Sequence, residues 1–252
     1  MQMISSILSI LRFQAQIIVH LFHWRYPLMI KWQIAWIAEQ SLSLCWIHSC
    51  FLGMVLCLQL AKELISLQAT PMIGAILGLT LLRELSPVFT AILLTARVAS
   101  SYTSELASMC VSEQFDALYL LQTHPFQLHI IPRYLACLIM LPLCTWFCFL
   151  TSLSASLFLA CLAYGIPVNL FLTSLRSSLS LWDILTSLLK AMIFGALLAL
   201  ISCHYALITR GGSKQIAIST TRAVVHVLVL ILAFDWLLSS CFYPTSQMVI
   251  KP

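Results

Sequence analysis

The sequence predicts an all-α integral membrane protein, and three observations support that class. The chain has 252 residues, of which 61% are hydrophobic and only 8% are charged. Several uncharged apolar runs reach the roughly 20 residues that a helix needs to cross a bilayer core of about 30 Å. The runs also lack the alternation of a transmembrane β-barrel. Every backbone polar group in lipid must be hydrogen-bonded, so only α-helices and closed β-barrels cross a membrane. With the barrel excluded, the runs are predicted to be α-helices.

The first segment, residues 1–31, predicts an amphipathic helix that lies in the membrane interface. Between residues 3 and 24, apolar positions such as Ile7 and Leu11 are mixed with polar ones such as Arg12 and His20. That mixture suits the headgroup region. No basic leader, Ala-x-Ala-like cleavage site or Arg- and Ser-rich transit segment is evident, so the chain is expected to be bacterial or encoded inside an organelle.

About five spanning helices are predicted next, within one membrane domain at residues 32–243 that is followed by a short tail at 244–252. The expected spans are Trp32–Leu60, Pro71–Ser108, Pro132–Tyr164, Leu181–Ile208 and Ala223–Tyr243. The second region is too long for one simple span, and the proline of RELSP predicts a break, with a short segment before it and the membrane crossing after it. In the basic loop Thr209–Arg222, Gly211 and Gly212 mark a turn.

Basic residues near the span ends predict a cytoplasmic N-terminus, or its organellar equivalent. Four basic residues then lie on or toward the opposite side: Lys62, Arg176, Lys190 and Lys251. Seven lie on the cytoplasmic side: Arg12, Arg25, Lys31, Arg133, Arg210, Lys214 and Arg222. The formal charge of +5 reflects this orientation rather than nucleic-acid binding, because no basic run is interleaved with aromatic residues.

Charged residues inside the predicted spans need a partner or a water-filled cavity, because a charge at membrane depth is costly. These residues are Arg83, Glu84, Arg97, Glu105 and Asp235. Arg83 and Glu84 point about 100° apart on a helix, so each is expected to find its partner on another helix, and Arg83 is the candidate cation for Asp235. Two interpretations stay open: a buried pair that fixes helix packing, or a polar lining around a lipid headgroup or conformational latch.

The stretch VSEQFDALYLL, Val111–Leu121, predicts a short amphipathic helix on the cytoplasmic side. Ser112 is expected to cap it, and acids in its first turn suit the positive end of the helix dipole. Its apolar and acidic positions fall on different stripes: Val111, Phe115 and Leu118 on one, Glu113 and Asp116 on another. His124 and Pro125 are expected to end it. These features fit either a solvated loop helix or a helix that docks in a groove of a cytoplasmic partner.

Ten cysteines lie mostly inside apolar runs, and none are spaced as CxxC. Neither a zinc site nor a disulfide framework is indicated, so no metal is expected.

Two distant blocks resemble the MlaE family of ABC-transporter permeases. Leu81–Pro142 carries RELSP, TARVAS, ELASMCVSEQFDAL and PR, where the family has RELGP, AGR, ELGxMxVxEQIDAL and PR. The later block GGSKQIAISTTRAVV and its following acid match GGxxGVGxATTxAVV and the terminal Asp signature. The likeness covers about residues 40 to 243 and is closest to plastid-encoded and cyanobacterial members, similar to the permease of the chloroplast trigalactosyldiacylglycerol lipid importer. At five positions where the family has glycine, this sequence has another residue: Ser86, Ala96, Ala99, Gln215 and Ala217.

The resemblance implies a homodimeric permease, with an ABC ATPase subunit on the cytoplasmic or stromal side and an MCE-domain lipid-binding protein on the other. The implied cargo is a glycerophospholipid or glycerolipid precursor. The resemblance gives the role of ATPase-coupling helix to six residues: Glu113, Gln114, Phe115, Asp116, Ala117 and Leu118. The implied location is the plastid inner envelope, or otherwise a bacterial inner membrane.

The chain itself is expected to be no enzyme, with no catalytic residue and no cofactor, because it lacks the GxxxxGK[ST] phosphate loop and ATP would be bound by the partner. Two alternatives stay open. A membrane-embedded enzyme would show HExxH, GxSxG or paired aspartates, which do not occur here. An ion-coupled secondary transporter would show inverted repeats with broken helices in both halves, whereas only one half has such a break.

Overall fold

The computed structural model describes residues 27–121 and 125–243, and these residues are helical apart from short connections. Five helical segments of the described chain are long and apolar enough to cross a membrane: Met29–Ser66, Thr70–Val111, Phe126–Tyr164, Leu181–Ile208 and Ser213–Phe242. The predicted all-α membrane class and its five spans are therefore confirmed. The predicted interfacial helix at residues 3–24, the tail at 244–252 and His124 lie outside the described residues.

The helices are labelled in chain order. They are α1 (Pro27–Ser66), α2 (Ile73–Thr80), α3 (Ser86–Leu94), α4 (Ser100–Val111), α5 (Gln114–Leu120), α6 (Ile131–Tyr164), α7 (Val168–Ser178), α8 (Leu181–Ile208) and α9 (Ser213–Phe242). A 3-10 turn at Thr70–Met72 precedes α2, and π-helical turns occupy Leu81–Leu85, Thr95–Ala99 and Phe126–Ile130.

The chain divides into two compact units, and each of the five spans contributes residues to both. Of the described residues, unit 1 comprises 27–41, 91–121, 125–141 and 192–233. Unit 2 comprises 42–90, 142–191 and 234–243. Each unit is described below by itself.

Unit 2 is packed through small residues that let helix backbones approach closely. A Cβ atom added to Gly53 of α1 would lie 2.1 Å from the backbone oxygen of Ser152 in α6. A Cβ added to Gly74 of α2 would lie 2.3 Å from the backbone oxygen of Phe171 in α7. Such contacts are typical of membrane helices, where association depends on close packing rather than on expulsion of water. The amphipathic helix α7 buries Phe171 in the same core as Ile73 of α2.

Unit 1 has the same kind of contact between α8 and α6. A Cβ atom added to Gly195 would lie 2.7 Å from the backbone oxygen of Cys137. Tyr102 and Leu106 of α4 are also fully buried in this unit. Small and large side chains together fill the space between the three helices.

The second span bends its hydrogen-bond ladder at RELSP but does not break. The chain stays helical from α2 through the π-helical turn Leu81–Leu85 into α3, and Ser86 N–H bonds to the Leu81 carbonyl, five residues back. Pro87 has no N–H for the carbonyl of Arg83, four residues back. That carbonyl accepts a hydrogen bond from Lys190 at 3.0 Å instead. The predicted disturbance is confirmed, but the predicted break is wrong, because a wider turn and a side-chain donor satisfy the backbone.

Other boundaries also differ from the prediction, and the start of the fifth span differs most. The fifth span begins at Ser213, ten residues before Ala223, because Gly211 makes the turn at φ +115° and Gln215 N–H already bonds to Gly212 O. The residues between the third and fourth predicted spans contain a further helix, α7. Hydropathy finds the apolar part of a helix, whereas helical hydrogen bonding continues into polar residues outside that part.

Candidate functional site

Unit 2 contains five charged side chains that form two adjacent sets of ion pairs and are called the polar cluster: Arg83, Glu84, Asp183, Lys190 and Asp235. The first two lie on the π-helical turn Leu81–Leu85, and the others come from α8 and α9. Three carboxylates therefore surround two cations, and the cluster joins three of the five spans.

Lys190 is the centre of the polar cluster and is 0% exposed. Its ammonium lies 3.1 Å from both carboxylate oxygens of Glu84 and 3.2 Å from Asp235 Oδ1. It also lies 2.7 Å from Ser239 Oγ, which in turn donates to Glu84 at 3.0 Å. An ammonium carries three hydrogens, so its acceptors, the Arg83 carbonyl included, share them. Two nearby carboxylates and a full set of acceptors are what allow a lysine to stay charged when buried.

Arg83 binds Asp183 through two nitrogens. Its Nε and Nη2 both lie 2.8 Å from Asp183 Oδ1. The other carboxylate oxygen, Oδ2, accepts from Ser180 Oγ at 2.7 Å and from Ser180 N–H at 3.2 Å. Asp183 N–H bonds back to Ser180 Oγ at 3.3 Å, so the two residues form a capping box at the start of α8. The helix cap thus orients the carboxylate that receives Arg83.

Tyr243, just after α9, covers the same arginine. The Arg83 guanidinium carbon lies 4.5 Å from the centre of the Tyr243 ring, which is cation–π distance. The Tyr243 hydroxyl is hydrogen-bonded to Thr186 Oγ1 at 2.6 Å. Burial raises the pKa of the Tyr243 phenol, so it stays protonated and neutral beside the charges.

The sequence prediction for this region was correct in principle and wrong in one pairing. Arg83 and Glu84 do find separate partners on another helix, as expected. Asp235, however, pairs with Lys190 and not with Arg83. The rotation of α8 decides this, because it presents Asp183 to Arg83 and Lys190 to the two remaining acids.

Lys190 and Asp183 were missed as members of the site. Lys190 was counted as a charge toward the non-cytoplasmic side, but it is buried and is no interfacial charge. One available signal was the spacing of the polar residues in the apolar helix α8, at i, i+3, i+4 and i+7. These are Asp183, Thr186, Ser187 and Lys190, and all four are buried.

Unit 1 carries the short helix α5, whose faces agree with the sequence pattern. Phe115 and Leu118 are half-buried, whereas Gln114, Asp116 and Ala117 are exposed, as is Glu113, the residue before the helix. Glu113 has φ +57°, in the left-handed region, which turns the chain sharply between α4 and α5.

The expected cap of α5 is wrong. The Ser112 hydroxyl donates to the Ser108 carbonyl at 2.9 Å and so binds the end of α4, and within the described chain no side chain caps the start of α5. Ser112 is the C-cap residue of α4, and Glu113 instead occupies the N-cap position of α5. The helix also ends at Leu120, before His124 and Pro125.

A cavity of about 210 Å³ separates α5 from the end of α8. Phe115, Asp116 and Tyr119 line it from α5, and Thr209 and Arg210 line it from the connection to α9. The connection continues into Gly211 and Gly212, which are exposed. Phe115 also contacts His129 edge to face, with ring centres 6.3 Å apart. Through Phe115, α5 therefore packs against the π-helical turn that precedes α6.

The two remaining charges expected in a polar core belong to unit 1 and have their own partners. Glu105 binds Arg133 of α6 at 2.7 Å. Arg97 is exposed and donates to the backbone oxygen of Gln40 in α1. The predicted polar-core set is thus divided between the two units.

Comparison with known proteins identifies the family. The family described as Permease MlaE matches residues 30–241. The chain belongs to the MlaE permease family. It is 38% identical to the probable ABC transporter permease protein ycf63 of Pyropia yezoensis, over 85% of this chain and 81% of the relative. It is also 38% identical to a probable ABC transporter permease protein of Synechocystis sp., over 82% of this chain and 79% of that one.

A third relative has a name that specifies more. The MlaE-family chain is 38% identical to Protein TRIGALACTOSYLDIACYLGLYCEROL 1, chloroplastic, of Arabidopsis thaliana, over 88% of this chain and 62% of the relative. The resemblance stated from the RELSP and SEQFDAL blocks is therefore confirmed. The first two relatives are named as permeases, and the described part of this chain has five helices that are long and apolar enough to cross a membrane.

Proposed function

We propose that this chain is the permease subunit of an ABC-type lipid transporter. It works as a homodimer, and a separate ATPase subunit binds and hydrolyses the ATP, so the chain needs no cofactor of its own. Its cargo is a glycerophospholipid or glycerolipid precursor, exchanged with an MCE-domain lipid-binding protein on the opposite side of the membrane. The relatives' names support the ABC transporter assignment, and the one described as chloroplastic supports a plastid location. Within the plastid we propose the inner envelope membrane, and the alternative location is a bacterial inner membrane.

The observation that carries this proposal is the position of α5. Its apolar residues Phe115 and Leu118 are half-buried, while Asp116 and Glu113, the residue before the helix, are exposed. A short helix with one half-buried apolar face and an exposed opposite face is suited to docking in a groove of a partner. Movement of that partner would then displace α5 and the helices α4 and α6 on either side of it, which is a rigid-body switch.

The polar cluster supports a second part of the proposal, a polar section of the lipid pathway. Lys190 and Asp183 are buried, whereas Glu84 is 41% exposed and Arg83 is 32% exposed. The buried residues Lys190 and Asp183 hold the three helix segments together within unit 2. The partly exposed residues Arg83 and Glu84 present charge at the surface of the cluster. In a membrane protein, such charges face water or a polar ligand rather than lipid tails.

The test of ATPase docking is the substitution Asp116→Arg in the full complex. The affinity-tagged chain is purified in detergent, and the ATPase subunit that copurifies is quantified together with its ATP hydrolysis. Reversal of the charge on the exposed face of α5 is expected to remove most of the bound ATPase, because a like-charge contact at an interface costs several kcal/mol. Asp116 is preferred to Glu113, since a change at Glu113 also alters a left-handed residue.

The matched control is Glu63→Arg, because Glu63 is an exposed acid near the end of α1. It should leave the bound ATPase unchanged. Full ATPase binding and normal lipid-stimulated turnover in Asp116→Arg would contradict the docking role. Lipid mass spectrometry of the purified complex tests the cargo: glycerolipids should be enriched relative to the surrounding membrane, and no enrichment would count against lipid transport.

A further inference from the structure

We propose that the ion pair between Arg133 and Glu105 is a clamp. It holds α4 and α6 together at the base of the segment between them, which carries α5, and it transmits movement of α5 to both helices. The inference rests on the proposed function, because it assumes that a partner moves α5. It assigns a role to two positioning residues outside α5, which couple the movement of α5 to the membrane helices α4 and α6.

The first observation is the position of the pair in the chain. Glu105 lies on α4, six residues before its end at Val111, and Arg133 is the third residue of α6. The segment that contains α5 begins and ends between these two residues. The 2.7 Å contact from Arg133 Nη2 to Glu105 Oε2 therefore joins the two ends of that segment across its base.

The second observation is that Arg133 depends on Glu105. Arg133 is 3% exposed. Glu105 is the carboxylate bound to it within the described part of the chain, whereas Nη1 reaches the Tyr102 carbonyl only at 3.5 Å. Among the described residues, Nε has no hydrogen-bond partner. A buried guanidinium with so few other contacts is held in place mainly by its one anion.

The third observation is that the pair is anchored in α1. The Arg133 guanidinium carbon lies 4.9 Å from the centre of the Tyr102 ring. Tyr102 stacks on Trp36 of α1 with ring centres 5.8 Å apart, and its hydroxyl donates to Gln33 Oε1 at 3.1 Å. The clamp thus joins α4 and α6 and rests on the first span.

The fourth observation connects the clamp to α5 itself. Phe115 contacts His129 in the π-helical turn, and Arg133 follows one helical turn later. With the base closed, displacement of α5 moves α4 and α6 as one body. With the base open, the two helix ends separate and absorb the displacement locally.

Glu105 is the more exposed residue of the ion pair and is therefore the one to substitute. Glu105 is 43% exposed, and its second oxygen accepts a hydrogen bond from Ser101 Oγ at 3.1 Å. Glu105→Gln keeps the shape of the side chain and removes its charge. Glu105→Asp keeps the charge on a shorter side chain. Glu39→Gln is the matched control, because Glu39 is another exposed acid of unit 1 and has no ion-pair partner among the described residues.

The test uses the complete complex, reconstituted in liposomes with its ATPase subunit and MCE-domain protein. The quantities measured are the ATPase retained, the basal ATP hydrolysis and the number of fluorescent phospholipids transferred per ATP hydrolysed. Glu105→Gln is expected to retain the ATPase and its basal hydrolysis but to transfer at least about fivefold fewer lipids per ATP, as loss of a coupling interaction predicts. Glu105→Asp is expected to recover most of the ratio, and Glu39→Gln to leave it unchanged.

An unchanged ratio in Glu105→Gln would overturn the clamp, and so would loss of the ATPase from that variant, which would assign Glu105 to docking instead. If Glu105→Gln is not recovered as folded protein, Ser101→Ala decides the question, because it weakens the orientation of Glu105 and leaves both charges in place. It should lower the ratio in the same direction by a smaller factor, and an unchanged ratio there overturns the clamp. Failure of the proposed function itself is distinguishable, because the unmodified chain would then copurify with no ATPase.

Discussion

The substitution Lys190→Met tests the energetic importance of the polar cluster most directly. Methionine is similar in length to lysine but cannot neutralise Glu84 or Asp235, whose oxygens lie 3.1 and 3.2 Å from the lysine nitrogen. Removal of one partner from a buried ion pair costs about 3–5 kcal/mol, because the remaining charge is left without compensation. Glu84 is 41% exposed and can recover part of its hydration, so the lower limit of about 3 kcal/mol applies.

The measurement is thermal unfolding of the purified chain in detergent. For a chain of this size, each kcal/mol lowers Tm by about 2–4 °C, so the expected decrease is about 6–12 °C. The control Lys62→Met removes an exposed lysine of α1 in unit 2 and should change stability by less than about 0.5 kcal/mol.

A triple variant separates charge compensation from packing. Lys190→Met combined with Glu84→Gln and Asp235→Asn removes all three charges, and neutral substitutes for a buried ion pair are often tolerated. We expect its Tm to recover most of the loss seen in Lys190→Met alone. A decrease below about 2 °C in Lys190→Met, or a triple variant that is less stable than the single one, would refute the reasoning.

Two further predictions concern helix packing and the start of α8, and thermal unfolding checks both. Gly53→Ala should destabilise the chain by about 1–3 kcal/mol, because its Cβ would lie 2.1 Å from a backbone oxygen of α6; Gly212→Ala, where a Cβ meets no atom within 4 Å, should cost less than about 0.5 kcal/mol. Equal Tm values for these two variants would contradict the close approach. Asp183→Asn should cost about 1–3 kcal/mol through the weakened bond to Arg83. It should cost more than Ser180→Ala, which removes only the cap, and the reverse order would show that the arginine contact is unimportant.

Much of the site could be predicted from residue types and spacing. The amphipathic pattern around Phe115 and Asp116 gave the correct buried and exposed faces of α5, because one turn of helix fixes which residues share a side. The cost of a charge in a span likewise led to the correct expectation that Arg83 and Glu84 bind other helices.

The errors have two different causes, a local change in backbone direction and a contact between segments distant in sequence. Ser112 caps the helix before it rather than the one after it, since the left-handed residue Glu113 sets the direction of the chain there. Pro87 disturbs the second span without breaking it, since Lys190, more than 100 residues later, supplies a hydrogen bond to the Arg83 carbonyl that the proline leaves without its helical donor.

The amino-acid sequence by itself determined the membrane class, the five spans and the need for each in-span charge to be compensated. These properties follow from the free energy of transferring individual residues and backbone groups into lipid, which depends on local composition. Only the tertiary structure decided that Asp235 binds Lys190, that Asp183 receives Arg83 and that Glu105 closes on Arg133. Ion pairing depends on which helices are neighbours and how each is rotated about its axis, and those quantities are set by the packing of the whole chain.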